Sequence, residues 1–149
     1  MEGRLKKIGM TISKTYLAEL FKQYNKAYFN NELPKCRMTT TQAKSYYAMY
    51  LPSNKPIIYV CRYVHWDEES LKITILHEML HHYIMSVAKS KFYVLPHGFI
   101  FKHYCRKFKK KHGIDLRTHK GPLPYFYKEK IPTTFWQRMW RYLGYRLSF

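Results

Sequence analysis

The chain has 149 residues, 46% hydrophobic and 18% aromatic, enough for one domain with one core and too apolar for a disordered chain. Its 27 Lys and Arg against 9 Asp and Glu give a net charge of +18, too large for an ordinary solvated surface without a polyanionic partner. Apolar runs such as 56–61 fall far short of the roughly 18–20 residues of a membrane span.

Residues 1–10 carry Arg4, Lys6 and Lys7 with no apolar stretch or small-residue cleavage site after them, so export is not expected. Tyr16, Leu17, Leu20, Phe21, Tyr24, Ala27 and Tyr28 recur at spacings of three and four, which predicts an amphipathic helix over 13–29. Asn30-Asn31-Glu32-Leu33-Pro34 ends it. The composition then shifts to Thr, Tyr, Val and Ile, predicting strands over 37–41, 44–50 and 57–63, the last two joined by the turn 52–56. Tyr46, Tyr47 and Tyr50 read as sheet residues. Asp67 or Ser70 caps a long helix from Glu68 or Leu71 to about Ala88, with Ile73, Leu76, Leu80, Ile84 and Val87 as its buried stripe. A further helix runs from Gly98 to His112 and ends at Gly113. The tail adds a strand over 125–131 and a helix over 134–147. Its stripe of Phe135, Trp136, Met139, Trp140 and Leu143 either packs on the domain or forms a platform for unpaired bases. The whole reads as one α+β domain over 1–149. Cys36, Cys61 and Cys105 are scattered and form no CxxC pair, which predicts reduced, buried thiols and a cytoplasmic setting.

The chemistry concentrates at His77-Glu78-Met79-Leu80-His81, an HExxH motif in the middle of the long helix. Residues four apart share a helix face, so both imidazoles can hold one zinc ion, one per chain. Glu78 is offset by one residue and is placed to act as the catalytic base. His82 is rotated about 140° from His77 and cannot replace His81. A catalytic zinc takes a third protein ligand. His97, at a helix start beside Gly98, is the first choice and His103 the fallback.

His77-Glu78-x-x-His81, fifteen residues, then His97-Gly98-x-x-Phe101 resembles the SprT/Spartan metalloprotease domain, and residues 21–34 and 58–71 are similar to its first helix and its approach to the active helix. The resemblance covers 17–114 and leaves 115–149 as a basic, aromatic extension. It implies a zincin-like fold, zinc held by His77, His81 and His97, and cleavage of DNA-bound or DNA-crosslinked proteins. Phe99-Ile100 stand where that family commonly has Pro-Glu, and the scattered cysteines cannot build the Cys-rich zinc ribbon many relatives carry.

Any DNA contact must then come from the domain itself. Four of the nine acids sit in 67–78, and only Asp115 and Glu129 follow Glu78. Arg106, Lys107, Lys109, Lys110, Lys111, Arg117 and Lys120 are therefore the expected nucleic-acid face, with His112 and His119 in the same basic surface. Two rival readings stand beside the DNA-associated protease. One is a nucleic-acid-binding module with a non-catalytic zinc, which Glu78 argues against. The other is a general peptidase without a DNA requirement, which the charge argues against.

Overall fold

A computed structural model describes residues 10–43, 46–91, 93 and 95–117. The predicted strand over 125–131, the helix over 134–147, His119 and Lys120 lie outside the described residues. The described part is α+β, with three helices and a three-stranded sheet.

Helix α1 (Lys14–Tyr28) opens at Ser13, whose Oγ accepts from the Tyr16 N–H at 3.1 Å, and buries Leu17, Leu20 and Phe21. Its exit is fixed by Asn25, whose side chain exchanges two hydrogen bonds with the Leu33 backbone at 3.1 and 3.2 Å. Asn30 and Asn31 take left-handed φ values of 53° and 60°, which asparagine tolerates better than most residues. The chain turns there into the sheet.

Strands β1 (Arg37–Thr41), β2 (Ala48–Leu51) and β3 (Ile57–Cys61) lie in the order β1-β3-β2. β3 is central, parallel to β1 and antiparallel to β2, and its Ile58 sits between Met38 and Tyr50. The turn 52–56 joins β2 to β3 as expected. The second strand is shorter than the predicted 44–50 and ends one residue later, and β3 stops at Cys61, two residues before the predicted end, with the Arg62 N–H still donating to the Thr41 carbonyl. Edge strands with mixed polarity carry weak boundary signals.

Helix α2 (Glu68–Ser86) begins at Asp67, whose Oδ1 accepts from the Ser70 N–H at 2.7 Å; Glu68 and Glu69 complement the helix dipole in the first turn. It is the hub of the domain. Leu71, Ile75, Leu76, Met79, Leu80 and Ile84 are buried, while Ile73 and Val87 of the expected stripe are only partly so. A helix enclosed by β2 on one side and α3 on another loses the one-sided period on which a stripe is read.

Helix α3 (Phe99–His112) starts at Gly98 and ends at Gly113, whose φ of 72° closes the last turn through an N–H donated to the Lys109 carbonyl. A Cβ at Gly98 would lie 2.9 Å from the Leu95 Cβ and 3.0 Å from the Leu95 carbonyl, so glycine is required for that tight entry. The three cysteines are free and buried, and burial pushes the Cys36 and Cys105 thiols up to about 12. No helix among the described residues is long and apolar enough to cross a membrane.

Candidate metal centre

His77 and His81 lie one turn apart on α2, and His97 stands just before α3. The structure brings the three together. Nε2 of His77 is 2.9 Å from Nε2 of His97, and Nε2 of His81 is 3.2 Å from each of them. His103, the fallback, is on the exposed side of α3 against Tyr104 and is no part of the cluster. His82 points away, as its rotation requires. It is fully buried, with Nε2 2.9 Å from the Pro34 carbonyl.

The far side of each α2 imidazole fixes its tautomer. His77 Nδ1 is 2.8 Å from the Leu116 carbonyl, which only accepts, so the proton is on Nδ1. The Tyr93 hydroxyl donates to the Pro96 carbonyl at 3.3 Å and so receives the proton of His81 Nδ1. Both rings therefore turn an Nε2 lone pair inward. Burial, followed by the proximity of His77 and His97, holds the His81 pKa well below its usual value, which keeps that ring neutral. Converging lone pairs at this separation repel unless a cation lies among them, and a tetrahedral ion about 2 Å from each would set the nitrogens about 3.3 Å apart. The donor set fits a metal ion.

Phe101, one turn beyond His97, closes the inner side. Its ring is stacked on His81 with centroids 4.3 Å apart, and it lies 4.8 Å from His77. His77 and His81 are buried at 7% and 6% exposure, whereas His97 is exposed, so among the described residues the centre opens to solvent on the His97 side.

Glu78 shares the turn with His77. Its Oε2 accepts from the Tyr50 N–H of β2 at 2.8 Å. Burial raises its carboxyl to about 7, and the Tyr50 hydrogen bond only partly offsets this. A carboxyl poised there can exchange protons near neutral pH.

Sequence reasoning missed four partners of this site. The Leu116 carbonyl and the Tyr50 N–H are backbone groups and leave no mark in a sequence. Tyr93 is spent on His81, and Tyr83 packs on Phe29 and Tyr104. The Phe101 contact was visible only as part of the spacing His97-Gly98-x-x-Phe101.

The expected basic face divides. Arg106, Lys107, Lys110 and Lys111 are exposed on α3. Lys109 and Arg117 both pair with Asp115, at 3.1 and 3.2 Å, and are partly neutralised. His112 belongs less to that face than expected, because it packs edge-on against Tyr28 and against Phe108; burial and the Lys111 charge lower its pKa.

A search of curated proteins found no match. The model of the SprT-like family matches residues 17–120, from the first turn of α1 through the whole cluster and past α3. With a match over more than half its length, the chain belongs to the SprT-like family.

Proposed function

We propose that this chain is a zinc-dependent endopeptidase acting on proteins bound or crosslinked to DNA. The observation that carries the peptidase reading is the convergence of three inward-facing imidazole nitrogens beside a buried carboxylate on the same helix turn. His77, His81 and His97 would hold the zinc. When bound, zinc supplies Lewis acidity and makes water nucleophilic near neutral pH.

The chain's own groups do the rest. Glu78 takes the proton of the attacking water through Oε1, which makes no hydrogen bond among the described residues, while Oε2 is held by Tyr50. It then passes that proton to the leaving amine. Leu116 and Tyr93 hold the two α2 imidazoles in the tautomer that presents Nε2. Phe101 keeps water from the inner face. A purely structural zinc would fit this arrangement poorly, since structural sites are closed by four protein ligands and need no base. Here three imidazoles converge and one flank is open.

The DNA part of the reading rests on charge. Lys107 and Lys111 are one turn apart on α3 and rim a cavity of about 200 Å³ floored by Tyr28, Tyr83 and Tyr104. Cations beside half-buried aromatic rings suit phosphate and unpaired bases together. Lys111 is about 18 Å along α3 from the metal end of the helix, close enough for one bound strand to bring a protein to the site. The test is proteolysis of a DNA-bound protein by zinc-loaded chain, with and without single-stranded DNA. Cleavage stimulated by DNA supports the proposal. Equal cleavage in its absence supports the general peptidase.

A further inference from the structure

Glu78, His82 and Ser86 recur every four residues along α2 and form a second stripe, rotated away from the His77/His81 stripe. All three meet one residue of the neighbouring edge strand, Tyr50. Its N–H donates to Glu78 Oε2 at 2.8 Å, its hydroxyl is 3.0 Å from His82 Nδ1, and it hydrogen-bonds Ser86. Ser86 Oγ is itself 3.0 Å from His82 Nδ1.

The directions of these bonds follow from their partners. The Pro34 carbonyl can only accept, so His82 carries its proton on Nε2 and presents Nδ1 as an acceptor. Burial raises the Tyr50 phenol to about 12, so it keeps the proton that it donates. The imidazole of His82 lies 5.2 Å from the Tyr50 ring and is fully buried, which leaves the tyrosine little freedom to slide. Polar bonds at both ends of one residue thus tie β2 to α2. One end grips the helix at His82 and Ser86, one and two turns beyond Glu78; the other grips the carboxylate.

We propose that Tyr50 is a positioning residue for Glu78, anchored through its hydroxyl by His82 and Ser86. The inference rests on the reading of Glu78 as the base. The anchor fixes where the Tyr50 N–H points, the N–H fixes Oε2, and the carboxylate therefore presents Oε1 to the reacting water. Without the anchor β2 can shift by a fraction of an ångström and the carboxylate turns with it. Misplacement of that order costs rate rather than binding.

The experiment measures kcat, KM and zinc content on zinc-loaded protein with a quenched fluorescent peptide. Tyr50→Phe removes one oxygen and keeps the ring and the N–H. Expected is a kcat lowered about tenfold, with KM within about twofold and zinc at one per chain. Ser86→Ala should lower kcat in the same sense, and Ser86→Thr, which keeps a hydroxyl, should restore it. The Tyr50→Phe/Ser86→Ala double variant should be no slower than Tyr50→Phe alone, because both cut one chain of bonds. Wild-type kcat in Tyr50→Phe, or losses that simply multiply in the double variant, overturns the proposal. Should Tyr50→Phe fail to fold, the Ser86→Ala and Ser86→Thr pair decides: a kcat loss at constant KM that threonine repairs supports it, and an unchanged kcat refutes it. Proteolysis surviving in Glu78→Gln would instead remove the underlying reading of Glu78, whatever Tyr50 does.

Discussion

The Phe101 ring lies nearly parallel to that of His81, 18° apart in plane and 4.3 Å between centroids. Because Phe101 is one turn after His97, the start of α3 delivers both a metal-facing nitrogen and the surface that backs the opposite imidazole. Phe101→Leu keeps an apolar filling but loses the flat contact. Zinc affinity should fall about tenfold, the scale seen when a supporting contact is lost. Competition with a chromogenic chelator measures this, and an unchanged affinity would reduce Phe101 to a core residue.

His97 and His103 present a sharper contrast, since both are exposed histidines of the same segment and only one faces the cluster. His97→Ala should weaken zinc binding by at least about tenfold, and His103→Ala should leave it unchanged. Metal analysis after dialysis decides between them. Loss of zinc from the His103 variant alone would reverse the assignment.

The buried carboxyl of Glu78 has a signature in the metal-free protein. Its pKa rises on folding from 4.5 to about 7, so the folded state binds a proton that the unfolded chain releases between those values. The group's contribution to stability is therefore best below pH 4.5, falls as pH rises through that window, and is a full penalty above about 7. Metal-free Glu78→Gln should be more stable than metal-free wild type at pH 8, by up to about 3 kcal/mol, and similar at pH 4. Urea unfolding at the two pH values tests the sign. A variant less stable at pH 8 would show that the carboxylate is not desolvated as described.

Exposed cations on α3 make a separate prediction for DNA. Lys107→Glu with Lys111→Glu should weaken binding of a single-stranded oligonucleotide and lower the slope of log affinity against log salt by about 1 to 2. Zinc content should not change. The pair is chosen over Lys109, which already has Asp115 as a partner. Fluorescence anisotropy across a salt series gives the slope, and an unaltered slope would move the contact elsewhere on the chain.

Much of the site was legible because its signals are local. The caps at Asp67 and Gly113, and the i, i+4 pair His77 and His81, are each written in a few consecutive residues. What could not be read involves pairing across the chain. β1 lies parallel to β3 with β2 on the far edge, an order that three consecutive strands do not announce. His82 was recognisable only as unable to share the metal. That it is buried and ties Pro34 to Tyr50 depends on residues 48 and 32 positions away. The core side of α2 was half read, since Ile75 and Met79 fall outside a single stripe on a helix covered on several sides.

Zinc content and proteolysis, measured together on wild type and Glu78→Gln, bear most directly on the central claim. The variant keeps His77, His81 and His97 and an amide of the same size, but it cannot accept the proton of the attacking water. Both proteins should carry about one zinc per chain, while cleavage of a DNA-bound protein should fall at least a hundredfold in the variant. Proteolysis persisting in Glu78→Gln, or a zinc-loaded wild type that cleaves no protein with or without DNA, would contradict it.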